Sequence, residues 1–434
     1  MQFLNIINKF SRRFYFLTPH PYAIGNCSEE IYLGLIKAKE QNKRLFLIYL
    51  LDIPFIFRFN LTNKSIFLIN SKYIYNPNKI IIIILRILLT LLYIPVRSSS
   101  LLLYKLYNVR LDESFSFPTI GRDDLFLPET SINDFQYNLI SSDKWNEKYK
   151  YRFDILIQNL NKQQMLELVY QLGIPPNAWF VCLHVRESGF RNDKGRREYR
   201  NSNINSYIPA INHITSNGGW VVRMGDNSMS KLPKLKNVID YPHTSSKSEL
   251  MDLVLIKLCY FYIGCQSGIY DVAVLFNKPI LLLNMYSWTF GSPMHYKDRG
   301  IIKHVYSKIE NRFLSINEIY NSDWSLQNIN SIANQDYYFV DNTEQEILDA
   351  VREYYKIISE DSFEPSIIQQ LAAKELKTHS RQIIITNRLA PNSIMSDQEE
   401  MIEKFRYGIQ IEGSLGHICN TYLNKNWSCD TLNI

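Results

Sequence analysis

Residues 259–284 read CYFYIGCQSGIYDVAVLFNKPILLLN, and this stretch decides the fold. Cys259 to Ile263 is a short apolar run, Gly268 to Phe276 reads as a helix, and Pro279 to Leu283 is a second apolar run. A strand, a helix and a strand in that order predict a crossover unit of a parallel sheet. Because such sheets carry helices on both faces, we expect both strands to be buried.

The same alternation extends outward from this unit through the second half of the chain. Further strands are predicted at Trp179–Val185, Trp220–Met224 and Val238–Tyr241. Further helices are predicted at Tyr207–Thr215, Lys247–Lys257 and Glu344–Tyr355. This pattern predicts a parallel sheet with helices on both faces, whose ligands lie beyond the carboxyl ends of the strands.

The first half of the chain opens on a similar but shorter pattern. Arg12 to Pro19 predicts a strand, His20 to Asn26 a loop, and Ser28 the cap of a helix. Arg44 to Asp52 is then an apolar run typical of a buried strand. The chain therefore starts with a predicted βαβ unit.

The length of 434 residues allows two or three domains. The helix breaker GIPPN at residues 173–177 marks a link between two halves. We therefore expect an N-terminal domain over residues 1–172 and a C-terminal domain over residues 173–358. Residues 359–434 are expected to form a C-terminal tail and not a third domain.

The most hydrophobic stretch runs from Ile80 to Val96 and is interrupted by Arg86 and Pro95. Its 17 residues fall short of a comfortable bilayer span. Basic residues surround the apolar runs of residues 80–110, as in a helix that lies in an anionic membrane interface: Lys79, Arg86, Arg97, Lys105 and Arg110. A buried core helix or strand pair is the alternative interpretation.

The composition bounds the classes of function. With 46% hydrophobic and 21% charged residues, the chain belongs with proteins that bury large cores. The net charge of +6 is too dilute for a nucleic-acid coat, and it favours anionic ligands or an anionic membrane face where it is clustered. We therefore expect no nucleic-acid partner.

Compartment is predicted from the cysteines and the N-terminus. The six cysteines form no C-x-x-C pair, so neither a zinc site nor a disulfide framework is indicated. Residues 1–17 lack an apolar core followed by a cleavage site, so no signal peptide is expected. A cytoplasmic protein, peripheral at most on the inner face of the cytoplasmic membrane, fits these features.

Polar residues follow the first two strands of the second half. His184 and Arg186 would face the same side of the sheet if the strand continues through them. Arginine matches phosphate oxygens, and histidine can move a proton near neutral pH. Arg223, Gly225 and Asp226 follow the next strand and predict a second contact to the diphosphate and to the nucleotide or sugar. Ordinary turn chemistry is the alternative for Gly-Asp.

The later strand ends carry weaker signals. Ser267 and Gly268 open a helix whose N–H groups suit a diphosphate, although Ser267 taken alone is better explained as an N-cap. Asn284 and Lys303 are further candidates for contacts to the nucleotide-sugar. Phosphate-binding devices at three strand ends together predict a ligand with a diphosphate, most simply a nucleotide.

Several common motifs are absent from the sequence. It contains no Asp-x-Asp, no G-x-x-x-x-G-K-[ST] loop and no G-x-G-x-x-G after a strand. These absences disfavour a metal-dependent sugar-nucleotide site, a P-loop phosphotransferase and a dinucleotide oxidoreductase. We therefore expect no metal and no cofactor, with the diphosphate charge met by arginines and helix N–H groups.

The motifs, taken in order, resemble a family of bacterial glycosyltransferases of surface-polysaccharide assembly, distantly related to fucosyltransferase-like enzymes of GT-B architecture. The resemblance covers roughly residues 180–355. It rests on CLHVRESGF (182–190), YRNSNINSYIPAI (199–211), GGWVVRMGD (218–226), IGCQSGIYDVAVLFNKPILLLN (263–284) and DNTEQEILDAV (341–351). PYAIGNCSEEIY (21–32) is similar to the glycine loop of the acceptor-side domain, with Gly25 and Asn26 in that loop.

The resemblance implies an α/β fold of GT-B type, with two Rossmann-like domains whose parallel sheets face a cleft. It implies that the second domain holds a nucleotide-sugar and the first an acceptor. It places Arg186 on the diphosphate, His184 beside it and Arg200 as a further anion contact. The fucosyltransferase-like pattern is His-x-Arg-x-x-Asp, and its last position is Gly189 here, which argues against GDP-fucose as donor.

The expected reaction transfers a sugar from a nucleotide-diphospho donor to a hydroxyl of a glycan or lipid-linked glycan. Catalysis would come from positioning, from stabilising the leaving diphosphate and from a base that removes the acceptor proton. Glu187 and Asp271 are the first candidates for that base, and His184 is the third.

Two alternatives stay open at this point. A nucleotide-sugar epimerase also binds a diphosphate between two such domains, and product analysis separates it from a transferase. A non-catalytic, membrane-associated scaffold of polysaccharide assembly is the second alternative. Saturable binding of a nucleoside diphosphate would count against a scaffold.

Overall fold

The structure is a computed structural model. It describes residues 13–17, 19, 23–48, 63–107, 151–191, 198–286, 293, 295–321, 336–360, 363–376 and 415–427. Most of the predicted tail, part of the loop at residues 20–26, Arg110 and the side chain of Asn26 lie outside these residues.

The chain divides into two compact units. The described residues of the first unit are those up to residue 107, Tyr151–Met165 and Asp271–Asn277. The second unit contains Leu166–Tyr270 and the described residues from Lys278 onward. The second unit thus begins near the predicted link at residues 173–177.

The strands are short and most are buried. In chain order they are β1 (Phe14–Leu17), β2 (Arg44–Leu47), β3 (Ile69–Asn70), β4 (Leu156–Ile157), β5 (Phe180–His184), β6 (Trp220–Arg223), β7 (Val238–Asp240), β8 (Tyr262–Gly264), β9 (Ile280–Met285), β10 (Arg299–Ile302), β11 (His304–Ser307), β12 (Arg312–Phe313), β13 (Tyr337–Val340) and β14 (His417–Ile418).

The helices of the two units lie between or after the strands. In chain order they are α1 (Ile24–Glu40), α2 (Lys79–Tyr107), α3 (Lys162–Gln171), α4 (Ile208–Ser216), α5 (Glu249–Leu258), α6 (Gly268–Leu275), α7 (Ile316–Asn321), α8 (Glu344–Ser359) and α9 (Asn420–Asn426). Residues 367–376 are also helical.

The second unit is built on a seven-stranded sheet with the order β14-β10-β9-β8-β5-β6-β7. Each pair of neighbouring strands is parallel. Apart from β14, this order is that of a doubly wound sheet, whose strand order reverses between β5 and β8. The prediction of an α/β fold with a parallel sheet is confirmed.

The central strands are apolar because helices cover both faces of the sheet. Every residue of β5, β8 and β9 is buried. A nearly continuous apolar run therefore forms each of these strands, and polar residues begin only where a strand ends. The predicted strands at residues 179–185, 220–224, 238–241 and 279–283 all correspond to strands of this sheet.

The second unit also contains elements that the sequence pattern did not predict. Strands β11, β12 and β13 form a small antiparallel sheet in the order β12-β11-β13. Strand β14 pairs in parallel with β10 at the edge of the main sheet. The described part of the C-terminal tail belongs to the second unit. The return of residues 359–434 across the cleft to the first domain, which the resemblance to GT-B enzymes implies, stays a prediction.

The first unit contains a smaller parallel sheet. Strands β1 and β2 pair in parallel, and helix α1 connects them in the chain, which confirms the predicted βαβ opening. Helix α1 begins at Ile24, so Gly25 and Asn26 lie in its first turn and not in a loop. Ser28 is fully buried within the helix. The prediction that Ser28 caps the helix is therefore wrong.

Helix α2 is a continuous helix of 29 residues that contains Pro95. Leu89 is buried and packs in a cluster with Phe46 and Ile48 of the first unit. Within the part of the chain that the structure describes, no helix has the length and apolar character needed to cross a membrane.

Helix α8 begins with a capping box. The Thr343 hydroxyl accepts a hydrogen bond from the Glu346 backbone N–H, and the Glu346 carboxylate accepts from the Thr343 backbone N–H. His304 Nε2 lies 2.9 Å from the same carboxylate. Burial raises the pKa of Glu346, but the hydrogen bonds from His304 and Thr343 outweigh burial and lower this pKa to about 2.

This depressed pKa makes stability depend on pH. The ordinary pKa of glutamate is 4.5, so the stabilisation by ionised Glu346 is complete above pH 4.5 and is lost as the pH falls towards 2. We expect Glu346→Gln to lower the free energy of unfolding by about 1–2 kcal/mol at pH 7. The difference from the wild type should shrink as the pH falls below 4.5.

Urea denaturation between pH 3 and pH 7 measures this difference. Glu344→Gln is the matched control, because Glu344 lies in the same helical turn and is exposed. A Glu346→Gln variant as stable as Glu344→Gln at pH 7 would contradict the role assigned to this carboxylate.

Candidate functional site: the strand ends between β5 and β8

The two strands at the reversal point of the sheet end side by side. His184 of β5 pairs with Gly264 of β8, and the Cys265 backbone N–H donates to the His184 carbonyl at 3.1 Å. The Arg186 backbone N–H donates to Cys265 Sγ at 3.1 Å. The loops that leave these strands are therefore joined at their first residues, and the crevice that such sheets use for ligands lies here.

The segment that contains Arg200 and Asn201 lies over these loops. The Ser202 backbone N–H donates to the Arg186 carbonyl at 3.0 Å. Arg186 Nη1 donates to Asn201 Oδ1. Arg200 Nη2 donates to the Gln266 carbonyl at 2.9 Å. These bonds hold two partly exposed arginines at the carboxyl ends of β5 and β8.

A third cation lies beneath the arginines. Lys303 follows β10 and is 3% exposed. Lys303 Nζ donates to the Asn201 carbonyl at 2.5 Å and to Asp341 Oδ1 at 2.6 Å. Lys303 therefore fixes the segment that carries Arg200, and its charge is paired with that of Asp341.

The pKa of the buried Cys265 thiol is affected by the positive charges near the end of β8. Burial raises the pKa of Cys265, whereas the positive charges of Arg200, Lys303 and Arg186 each act to lower it. Three cations from three separate segments thus act on one atom at the end of β8. An anion bound at this strand end would experience the same field.

Helix α6 starts directly beyond this thiol. Ser267, the residue before the helix, is 9% exposed, and its hydroxyl has no hydrogen-bond partner within the described structure. A buried hydroxyl without a partner is costly, so its presence points to a ligand that accepts or donates a hydrogen bond there. The start of α6 adds the positive end of the helix dipole.

His184 lies beside the arginines as an uncharged imidazole. Its Nδ1 lies 3.2 Å from the Met224 carbonyl, and since a carbonyl only accepts, Nδ1 carries the proton. The pKa of His184 is lowered to about 4, chiefly by burial and also by the positive charges of Arg223 and Arg186. The hydrogen bond to Met224 acts in the opposite direction and raises this pKa. At neutral pH the Nε2 atom therefore offers a lone pair.

Arg223 and Glu187 have a different role from the predicted one. The Arg223 side chain is fully buried, and its Nη2 lies 2.5 Å from Glu187 Oε1. Its Nη1 lies 3.1 Å from Asp240 Oδ1. The Ser230 backbone N–H also donates to Glu187 at 2.9 Å. These contacts make Arg223 an internal charge and occupy the Glu187 carboxylate. The predicted diphosphate contact of Arg223 and the predicted role of Glu187 as the base do not fit them.

Asn284 is likewise used within the protein. It is 1% exposed and adopts a left-handed backbone conformation at φ 50°. Its backbone N–H and its side-chain oxygen both bond to Asn342, and its Nδ2 donates to the Tyr207 hydroxyl at 3.0 Å. Asn284 joins the end of β9 to the residues before α8 and has no side-chain group directed to a ligand.

Gly225 and Asp226 form the turn after β6. Gly225 has φ +148°, and a Cβ there would lie 2.1 Å from the sulfur of Met229. Asp226 Oδ1 accepts from the Ser228 backbone N–H at 2.8 Å. Both observations agree with the turn chemistry that was the alternative interpretation.

Gly189 explains the departure from the fucosyltransferase-like pattern. A Cβ at this position would lie 2.9 Å from the Ser228 carbonyl oxygen and 2.8 Å from the Ser228 Cβ. An aspartate therefore does not fit where the family pattern has one. The loop after β5 and the turn after β6 approach each other through this glycine.

The two remaining predicted residues lie on helices. Gly25 lies in α1 of the first unit, and Asp271 lies in the first turn of α6. Among the described residues, no cluster of three or more His, Cys, Asp or Glu side chains has a geometry that would hold a metal ion. The absence of a metal requirement remains a prediction.

Sequence reasoning missed Asn201 and Gln266, which fix the two arginines. Asn201 follows Arg200 directly and was quoted only as part of a motif. Gln266 accepts a hydrogen bond from the Tyr286 backbone N–H at 2.9 Å through its side chain and binds Arg200 through its carbonyl. The available signal was that Gln266 directly precedes Ser267, a predicted site residue at the same strand end.

Comparisons with known proteins were made for the whole chain. No protein-family model matches the sequence. No curated protein matches it. Among solved structures, the glycosyl transferase family 9 protein from Veillonella parvula DSM 2008 is similar at 10% identity and a TM-score of 0.36, over 67% of this chain and 84% of that chain.

Two structures of one further protein also match in part. The iron-containing dodecameric glycosyltransferase TibC from enterotoxigenic E. coli H10407 is 14% identical, with a TM-score of 0.25, over 62% of this chain and 59% of that chain. Heptosyltransferase TibC in complex with ADP-D-β-D-heptose is 18% identical, with a TM-score of 0.19, over 26% and 29% of the two chains. The two matches thus span 59% and 29% of the TibC chain, less than two thirds in each case, and likeness at this level carries no functional argument.

The ion pair of Arg223 and Glu187 gives a testable prediction. Glu187→Gln leaves the fully buried Arg223 with one carboxylate fewer, and we expect the free energy of unfolding to fall by about 3 kcal/mol. The double variant Glu187→Gln/Arg223→Met removes the buried charge as well and should recover most of this loss. Urea denaturation of both variants measures the coupling, and losses that simply add would show that the two residues act independently.

Proposed function

We propose that this protein is a glycosyltransferase that binds the diphosphate of a nucleotide-sugar at the strand ends between β5 and β8. The observation that carries the proposal is that hydrogen bonds hold Arg186 and Arg200 at the adjacent ends of β5 and β8, next to the start of α6. Two guanidinium groups and the start of a helix at the reversal point of a doubly wound sheet suit a doubly charged anion. On this proposal the two units are the acceptor-side and donor-side domains of a GT-B enzyme.

The three cations have different roles in this proposal. Arg186 and Arg200 are partly exposed, and each has one guanidinium nitrogen held by a partner in the protein. Their orientation is therefore fixed before a ligand binds, which reduces the entropy lost on binding. Lys303 is buried, and its charge is paired with that of Asp341. It therefore holds the segment that carries Arg200 and does not contact the ligand.

The same arrangement supports transfer as well as binding. When the bond between the sugar and the diphosphate breaks, negative charge develops on the leaving phosphate. Arg186, Arg200, the Ser267 hydroxyl and the N–H groups of α6 would stabilise that charge in place of a divalent cation. Preorganised donors of this kind supply several kcal/mol of transition-state stabilisation without a metal.

His184 is the proposed base. Glu187 is held by Arg223 and Ser230, whereas His184 Nε2 is unprotonated at neutral pH because Nδ1–H donates to Met224. The imidazole can accept the proton of an attacking hydroxyl as the oxygen–sugar bond forms. The proposed acceptor is a hydroxyl of a lipid-linked bacterial surface glycan, and the proposed place is the cytoplasm or the inner face of its membrane.

Loss of Arg186 tests the binding site. We expect Arg186→Ala to weaken binding of a nucleoside diphosphate by at least about a hundredfold, since a charge-assisted bidentate contact is lost. Isothermal titration calorimetry with ADP, GDP, UDP and CDP measures this change. Arg352→Ala is the control, because that arginine has a side chain 53% exposed on α8 and lies away from the strand ends.

Each possible result of this titration leads to a different conclusion. Unchanged affinity in Arg186→Ala would overturn the assigned site. Failure of every nucleoside diphosphate and nucleotide-sugar to bind the wild type would overturn the proposed function. Conversion of a bound nucleotide-sugar without transfer to an acceptor would instead identify an epimerase.

The pKa of His184 predicts the pH dependence of transfer. Because this pKa is about 4, His184 stays unprotonated from pH 6 to 8, and kcat/KM should be constant there with a fall only as the pH approaches 4. His184→Ala should lower kcat by about a hundredfold or more. A fall in kcat/KM centred near pH 6.5, or full activity in His184→Ala, would contradict the assignment.

A further inference from the structure

Helix α2 exposes an unusual amount of apolar surface. Leu89 faces the core and is 3% exposed, whereas a row of isoleucines and leucines on the opposite side is between 42% and 64% exposed. These residues are Ile80, Ile81, Ile83, Ile84, Ile87, Leu88, Leu91, Leu102 and Leu106. We call them the apolar face of α2.

The positions of these residues show that they form one surface. Ile80, Ile84, Ile87 and Leu91 follow one another at helical spacings of three and four, and Leu88 lies four residues after Ile84. The helix is apolar on the side packed against Phe46 and Ile48 and also on the side directed outward. An apolar patch of this size on a folded protein marks a binding surface.

The charge around α2 indicates what this surface binds. From Ile53 to Leu111 the sequence contains eight Lys or Arg and no Asp or Glu. The other 375 residues contain 40 Lys or Arg against 42 Asp or Glu. The entire positive excess of the chain therefore lies in the 59 residues that include α2.

We infer that the apolar face of α2 docks on an anionic membrane surface. Isoleucine and leucine side chains insert below the headgroups, while surrounding lysines and arginines contact lipid phosphates. The helix lies along the surface, because its other side packs on the first unit through Leu85, Leu89 and Ile94. This inference goes beyond the proposed reaction and is independent of the strand-end site.

Vesicle binding tests this inference with the full-length protein. Wild-type protein should cosediment with vesicles of phosphatidylcholine that contain about a third phosphatidylglycerol, and binding should weaken as salt rises. The variant Ile84→Ser/Leu88→Ser/Leu91→Ser should bind these vesicles at least about thirtyfold more weakly, from the apolar area that no longer enters the membrane.

Matched controls separate this effect from a general loss of hydrophobicity. Ile309, Phe313 and Ile367 are 72%, 51% and 72% exposed in the second unit, and the variant with serine at these three positions should bind vesicles as the wild type does. Lys72→Glu/Lys79→Glu should weaken binding to the anionic vesicles, with little effect on vesicles of phosphatidylcholine alone. Circular dichroism verifies that each variant is folded.

Three outcomes would overturn the inference. The first is wild-type protein that binds no vesicles, and the second is equal binding by the wild type and the α2 variant. The third is a dimer in analytical ultracentrifugation that the α2 variant dissociates without any vesicle binding, which would identify a second copy of the chain as the occupant. Nucleoside diphosphate affinity should be the same in the α2 variant, so a failure here leaves the proposed function intact.

Discussion

Burial of the main sheet on both faces is the constraint on which the rest of the structure depends. Strands β5, β8 and β9 lie between helices, so their residues are apolar and ligand-binding groups are confined to the strand ends. The reversal of strand order between β5 and β8 separates the connections that leave these two strands. Polar groups therefore accumulate at one place, and the proposed site is a consequence of the topology.

The arginines at these strand ends have two different kinds of partner. Arg223 is fully buried and is neutralised by Glu187 and Asp240, so it joins the loops after β5, β6 and β7. Arg186 and Arg200 remain partly exposed, and an amide oxygen and a backbone carbonyl orient them. The internal ion pair supports the shape of the crevice, and the carbonyl-bound arginines supply its potential.

The two proposals assign different surfaces to different parts of the chain. The strand ends of the second unit would hold the donor, and the apolar face of α2 in the first unit would meet a membrane. An acceptor carried on a lipid would be presented at that membrane, so docking would raise its local concentration near the enzyme. The positive excess of the chain accordingly lies around α2, while the strand-end arginines belong to a part of the chain that is slightly acidic as a whole.

The sequence by itself determined the α/β class, the parallel sheet and the positions of Arg186, His184 and Ser267 at strand ends, because apolar runs and helical stretches depend on local pattern. It did not distinguish Arg186 from Arg223, since both are arginines that follow a buried strand. Only the tertiary structure decided between them, by placing Glu187 and Asp240 around Arg223 and an amide and a carbonyl around Arg186 and Arg200. Partners that are distant in the sequence meet only after the strands pair, and those partners determine whether an arginine is an internal charge or a ligand contact.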